Sequence, residues 1–196
     1  MNSTADRLFD IARAQQGYFT SSQAIACGYP SPNHVYHLRT GAWHREQRGI
    51  YRLSRFPEAP ERQYALWSIW SRNRAGEPQG VYSHQTALSL FDLSGLMPAR
   101  LHMTVPPGFR RRTPIPDALV LHVAPLPAAD VEIRQGYRVT RPLRAIADLL
   151  RDGAVDPAQL RAALRQALDR GLITRTGFAR HPDHNRLQAL LKRGAA

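Results

Sequence analysis

The segment SPNHVYHLRTGAWHREQRGIYRL, Ser31 to Leu53, gathers three histidines, two tyrosines and four arginines around a sparse apolar minority. Side chains of these types recognise rather than react. Amide, hydroxyl and imidazole groups hydrogen-bond to base edges, and guanidinium groups neutralise phosphates. Two further basic clusters stand out. Arg110, Arg111 and Arg112 lie in PPGFRRRTPIP, where prolines hold a basic loop clear of its neighbours, and Arg161 and Arg165 are one helical turn apart. Either cluster could meet a nucleic-acid backbone or an acidic partner surface, and a plainly solvated face is the alternative for both.

Catalytic patterns are missing. The chain contains no phosphate loop, no G-x-S-x-G turn, no H-E-x-x-H helix and no cysteine pair for zinc. His181, Asp183 and His184 in HPDH are ligand types, but a proline interrupts them and no second cluster supports them, so they read as a loop. Asp148 in IADLL reads as structural, with no second carboxylate seen beside it for acid–base or metal chemistry. The expectation is a protein with no catalytic residues, no metal and no cofactor.

The charge balance points the same way. Lys and Arg number 27 against 15 acids, a net charge of +12, and Lys192 is the lone lysine. A GC-rich genome explains part of the Arg excess over Lys, but not the excess of positive over negative, which favours polyanionic partners. The 196 residues suffice for one domain, or for a small module followed by a larger one. No apolar run approaches the roughly 20 residues of a membrane span, and the start MNSTADRLFD lacks a secretion-signal pattern. A cytoplasmic location and no membrane partner are therefore expected, and the single Cys27 fits a small buried side chain.

Local signals place elements beneath the recognition segment. Ser3 with Asp6 forms a capping pattern for a first helix that Gly17 stops, and Thr20 with Gln23 repeats it for a short second helix closed by Gly28. Ser31 caps a third helix with Pro32 in its first position and Gly41 at its end. Trp43–Glu46 and Ile50–Leu53 are β-prone runs joined through Gln47-Arg48-Gly49, a hairpin. Three short helices and a hairpin are the order of a winged helix-turn-helix. At 100° per residue, Val35 and Leu38 of the third helix face the other helices, while Asn33, Tyr36, His37 and Thr40 face out to read bases. Ser31, His34 and Arg39 lie at the margins, and Arg45, Arg48 and Arg52 of the hairpin are spaced to meet a DNA backbone, with Arg48 at the tip. Unperturbed histidine titrates near pH 6.5, so binding is expected to tighten on mild acidification.

The stretch GYFTSSQAIACGYPSPNHVYHLRTGAWHREQRGIYRLSRFP resembles the N-terminal domain of the AbiEi family, antitoxins of type IV toxin–antitoxin systems. YSHQTALSLFDLSG, LHMTVPP and VTRPLRAIADLL are similar in order and spacing to segments that follow in members with a second, antitoxin domain. The resemblance implies a winged helix that represses its own operon and a toxin partner resembling a nucleotidyltransferase. An inverted repeat in the promoter would take two copies, either as a dimer or as monomers meeting on the duplex. The other reading is an RNA-binding or general nucleic-acid module without operator specificity.

Two prolines near Arg55 to Pro60 suggest a boundary between a domain over 1–56 and a larger one over 57–196. Both are basic, with 7 basic against 3 acidic residues and 20 against 12. In the second, a helix is expected over Glu61–Arg74 and another from Ser83 to Phe91. Leu101–Val105 and Leu119–Val123 read as strands, the latter apolar on both faces and so central, and Val131–Ile133 and Tyr137–Val139 flank a Gly136 turn. From Thr140 onward helical stripes dominate, with Gly153 and Gly171 as stops. The fold class expected is α+β, with a small, mostly antiparallel sheet and a helical C-terminal part in the second domain.

Overall fold

A computed structural model describes residues 3–93, 95 and 97–192. The chain divides into two compact units. One takes the chain as far as Gly80 together with 133–138, and the other takes Val81–Glu132 and the chain from Val139 on.

In the first unit, α1 (Thr4–Ala14) starts at the Ser3–Asp6 capping box, in which each side chain bonds the other residue's backbone N–H. A strand follows that no local signal announces: β1 (Tyr18–Thr20) is three residues long and buried throughout. Thr20 and Gln23 form the second capping box, at α2 (Ser21–Ala26). A 3-10 turn over Ser31–Asn33 then leads into α3 (His34–Arg39), so Ser31 does not cap this helix as its sequence suggests: it lies inside the turn, and neither segment has a side-chain cap. The hairpin β2 (Trp43–Gln47) and β3 (Ile50–Leu53) completes an antiparallel sheet in the order β1-β3-β2. Leu8, Ala12, Phe19, Ala24, Cys27, Trp43, Tyr51 and Leu53 are its core. Phe19 packs edge-on to Trp43 at 4.8 Å, and the Arg7 guanidinium donates to the Cys27 carbonyl at 2.9 Å, tying α1 to the end of α2. Helix α4 (Arg62–Trp70) packs on β1 and β3, shorter than the span to Arg74 that its sequence suggests.

The second unit is built on β4 (Val81–Tyr82), α5 (His84–Leu90), β5 (Leu101–Val105) and β6 (Leu119–Val123). The hairpin β7 (Val131–Arg134) and β8 (Tyr137–Thr140) completes a sheet in the order β6-β5-β4-β8-β7. The α+β class holds, but this larger sheet is mixed: β4 pairs antiparallel with β5, whereas β5–β6 and β4–β8 are parallel. Strand β6 is at the edge, not central, and its apolar residues are for the most part only half-buried.

Helix α6 (Pro142–Asp152) ends at Gly153, and α7 (Pro157–Asp169) starts where the Asp156 carboxylate accepts from the Ala158 N–H. Two shorter helices follow, α8 (Arg175–Arg180) and α9 (His184–Lys192). The HPDH motif forms the joint between them. Asp148, buried on α6, takes ion pairs from Arg144 at 2.9 Å and Arg151 at 2.6 Å, as a structural carboxylate does. Among the described residues no helix is long and apolar enough to cross a membrane.

Candidate nucleic-acid interface

Helix α3 rests on a stack of aromatic rings. His34 is 4 % exposed; its Nε2–H donates to the Tyr29 carbonyl at 3.0 Å, and its ring lies 5.2 Å from Trp43 and 5.6 Å from Tyr51. The sequence puts this histidine at the margin, facing phosphates, and the structure corrects that: its polar atom is satisfied internally, so the ring can act as core. His37 is half-buried, stacked on Trp43 with ring centroids 4.6 Å apart and edge-on to Tyr29 at 5.1 Å. Loss of hydration there, with His34 close by, lowers its proton affinity below the ordinary histidine value.

The outward face is correspondingly rotated. Val35, placed inward by the 100° wheel, is 55 % exposed, and Tyr36 is 65 % exposed. Ser31, Asn33, Arg39 and Thr40 are exposed as expected, and Leu38 is half-buried against the core. The offset comes from His34: a wheel anchored on the apolar Val35 and Leu38 leaves it outside, whereas the Tyr29 carbonyl satisfies its ring and lets it take the inward place.

The hairpin separates its arginines. Arg45 and Arg48 are exposed, the latter beside Gly49, whose φ of 71° makes the turn. Arg52 is not a free cation: its Nε donates to Glu46 at 2.7 Å, and its side chain is 11 % exposed. The β2–β3 register shifts between Arg45 and Gln47. Such an irregularity re-aims the intervening side chain, here Glu46, which meets Arg52 across the pair. This partnership removes Arg52 from the set expected to meet a backbone.

In the second unit, Arg110 and Arg112 are exposed and Arg111 is half-buried, where desolvation lowers its affinity for its proton. Arg161 is half-buried, and Arg165 is exposed with a guanidinium N–H 3.4 Å from the Leu191 carbonyl.

Across nearly its whole length the fold has a counterpart. The crystal structure of the RV2827C protein from Mycobacterium tuberculosis aligns with a TM-score of 0.50 at 17 % identity, covering 96 % of this chain and 71 % of that one. At that identity the likeness is one of fold. No curated protein matches the sequence. Residues 6–54, the segment that builds α1 to β3 and the exposed face of α3, match the family described as "Transcriptional regulator, AbiEi antitoxin".

Proposed function

We propose that the first unit is a winged helix-turn-helix that binds duplex DNA at the promoter of its own operon, and that the chain is the repressing antitoxin of a type IV system. In this reading α3 enters the major groove. Asn33, Tyr36 and Thr40 meet base edges with the exposed edge of His37, and Val35 offers an apolar surface to a thymine methyl. Ser31, Arg39 and Arg45 contact phosphates, and Arg48 at the hairpin tip follows the backbone into the adjacent groove.

The observation that carries the reading is the exposed polar face of α3 beside an arginine-tipped hairpin, within a segment matching a transcriptional-regulator family. The resemblance to antitoxins supports a partner of nucleotidyltransferase type, with the second unit and its Arg110–Arg112 loop as the surface offered to it.

The test is footprinting on the chain's own upstream region, followed by affinity measurements on that region and on random duplex from 50 to 200 mM salt. Neutralising about 6–10 phosphates costs roughly three to five decades of affinity over that range. A protected inverted repeat, bound orders of magnitude tighter than random duplex, supports the repressor. Equal affinity for all duplexes, or preference for RNA, rejects it in favour of a general nucleic-acid module.

A further inference from the structure

Four side chains far apart in sequence converge in the second unit. His84 opens α5, His102 and His122 lie on the same face of adjacent strands β5 and β6, and Asp152 ends α6. The His84 and His122 rings stack with centroids 3.6 Å apart, and His102 stacks on His122 at 5.2 Å. The Asp152 carboxylate faces them: its Oδ2 is 3.2 Å from His84 Nε2 and 4.0 Å from His122 Nδ1. One ligand atom from each of His84, His122 and Asp152 fits within a 4.8 Å span.

We propose that His84, His122 and Asp152 bind a divalent transition-metal ion of the zinc class. Two imidazoles and one carboxylate are a donor set suited to zinc, with metal–ligand distances of about 2.0–2.2 Å that put tetrahedral donors roughly 3.3 Å apart. The His84–Asp152 separation already has that value, while His122 Nδ1 stands 4.0 Å from Asp152 Oδ2 and its ring must turn out of its stack on His84 for both lone pairs to meet one ion. Asp152 is exposed and His122 half-buried, so solvent reaches the site and water can complete the coordination.

The surrounding hydrogen bonds distinguish this cluster from histidines that merely pack. Each ligating ring is held at its other nitrogen. His84 Nδ1 lies 2.8 Å from Ser83 Oγ, which also accepts from the Thr104 hydroxyl at 2.8 Å, and His122 Nε2 lies 3.0 Å from His102 Nδ1. With metal bound, His84 donates Nδ1–H to Ser83 and His122 donates Nε2–H to His102, leaving Nε2 and Nδ1 as the lone pairs toward Asp152. Outer groups that fix the tautomer in this way are the usual support of metal-bound imidazole.

Burial, reinforced by neighbouring positive charge, pushes His84 down to about 3 and His102 to about 4, and burial lowers His122 as well. The nearby Arg144 and Arg151 do not leave the site cationic. Both pair with Asp148, and Arg144 also pairs with Asp130 and Arg151 with Asp183, so each guanidinium is neutralised by two carboxylates. His84 itself has φ +53°, a costly backbone conformation for a residue other than glycine.

The full chain, stripped with chelator, is titrated with ZnCl2 by calorimetry, and metal content is measured after dialysis. Uptake of one ion per chain is expected. His122→Ala and Asp152→Asn, altering solvent-reachable residues, should each abolish that uptake or weaken it at least about tenfold, and His102→Ala should weaken it by about 10–100-fold through loss of ring support. His181→Ala, in the HPDH joint, should leave it unchanged. Cobalt(II) in place of zinc should give a visible absorption band in the parent that His122→Ala loses. Absence of saturable uptake, or uptake that survives both His122→Ala and Asp152→Asn in folded protein, overturns the assignment and leaves a hydrogen-bonded histidine cluster.

Discussion

Two arginines of the hairpin, Arg48 and Arg52, look alike in sequence and differ in surroundings. Arg48 is exposed at the tip, and Arg52 is held by Glu46. Arg48→Ala should therefore weaken binding to every duplex by a similar factor and reduce the salt slope by about 1. Arg52→Ala should leave that slope in place and act through the fold, because Glu46 loses its partner. Anisotropy titrations at several salt concentrations, with hydrogen exchange of the β2 and β3 amides in both variants, distinguish the two. Asn33→Ala belongs to a third kind: it should cost about 1–3 kcal/mol on the preferred site and little on random duplex. The residue types of this surface were legible in the sequence. Their partners were not, because an ion pair between Glu46 and Arg52 depends on a strand register that no local pattern specifies. His37 carries the same lesson into pH. Its lowered proton affinity moves the ring's protonation to more acid solution than an unperturbed histidine's, so any tightening of binding that depends on this ring should come at correspondingly lower pH. A rise in affinity between pH 8 and 7 would contradict this.

At the scale of elements, the caps were the most readable part of the chain. Ser3–Asp6 and Thr20–Gln23 begin the helices they announce, because capping is satisfied within four residues and needs no tertiary partner, whereas Ser31 caps nothing because a 3-10 turn intervenes before α3. What escaped depends on distance. Strands β1 and β4 have three and two residues, too few for an alternating pattern, and exist because β3, β5 and β8 hold them. The edge position of β6 was hidden because an apolar run shows that a strand is covered, not which neighbours flank it. The phase of α3 escaped for another reason, since a polar His34 can lie inside once the Tyr29 carbonyl accepts its N–H. Gly17 links two elements in one residue: its φ is 92°, and a Cβ there would approach Phe56 to 2.8 Å. Gly17→Ala should cost about 1–3 kcal/mol from the backbone alone, plus displacement of Phe56 from Phe9, its ring neighbour at 5.3 Å. Denaturant melts followed through hydrogen exchange in α1 and β1 measure it, and an unchanged midpoint would show that the loop relaxes freely.

For the whole molecule, the two units should respond differently to acid, and the reason is where the neutral histidines are kept. In the second unit His84 and His102 are held near 3 and 4, by burial first and then by neighbouring charges: His122, His102, Arg144 and Arg151 act on His84, and His122 and Arg100 on His102, with Asp152 partly opposing at His102. The unfolded chain protonates such rings near pH 6.5. Between that value and the folded ones the unfolded state binds more protons, so the stability these residues contribute is complete above pH 6.5 and falls as the pH drops toward 4. Each titrating ring adds at most about 1.4 kcal/mol per pH unit to the slope. Because the chain has two units, one melting temperature is not a sound measure, whereas hydrogen exchange reads each separately. Protection of α5 and β5 should fall between pH 6.5 and 5 with a slope approaching two protons, and His102→Gln should remove about one of them. The amides of α1 and β3 provide the internal comparison, since the shift at His37 is the one lowered histidine of that unit among the described residues. Equal acid sensitivity in both sets of amides would mean that the histidines of the second unit are hydrated and protonate freely, which would also weaken the case for a preformed metal site there.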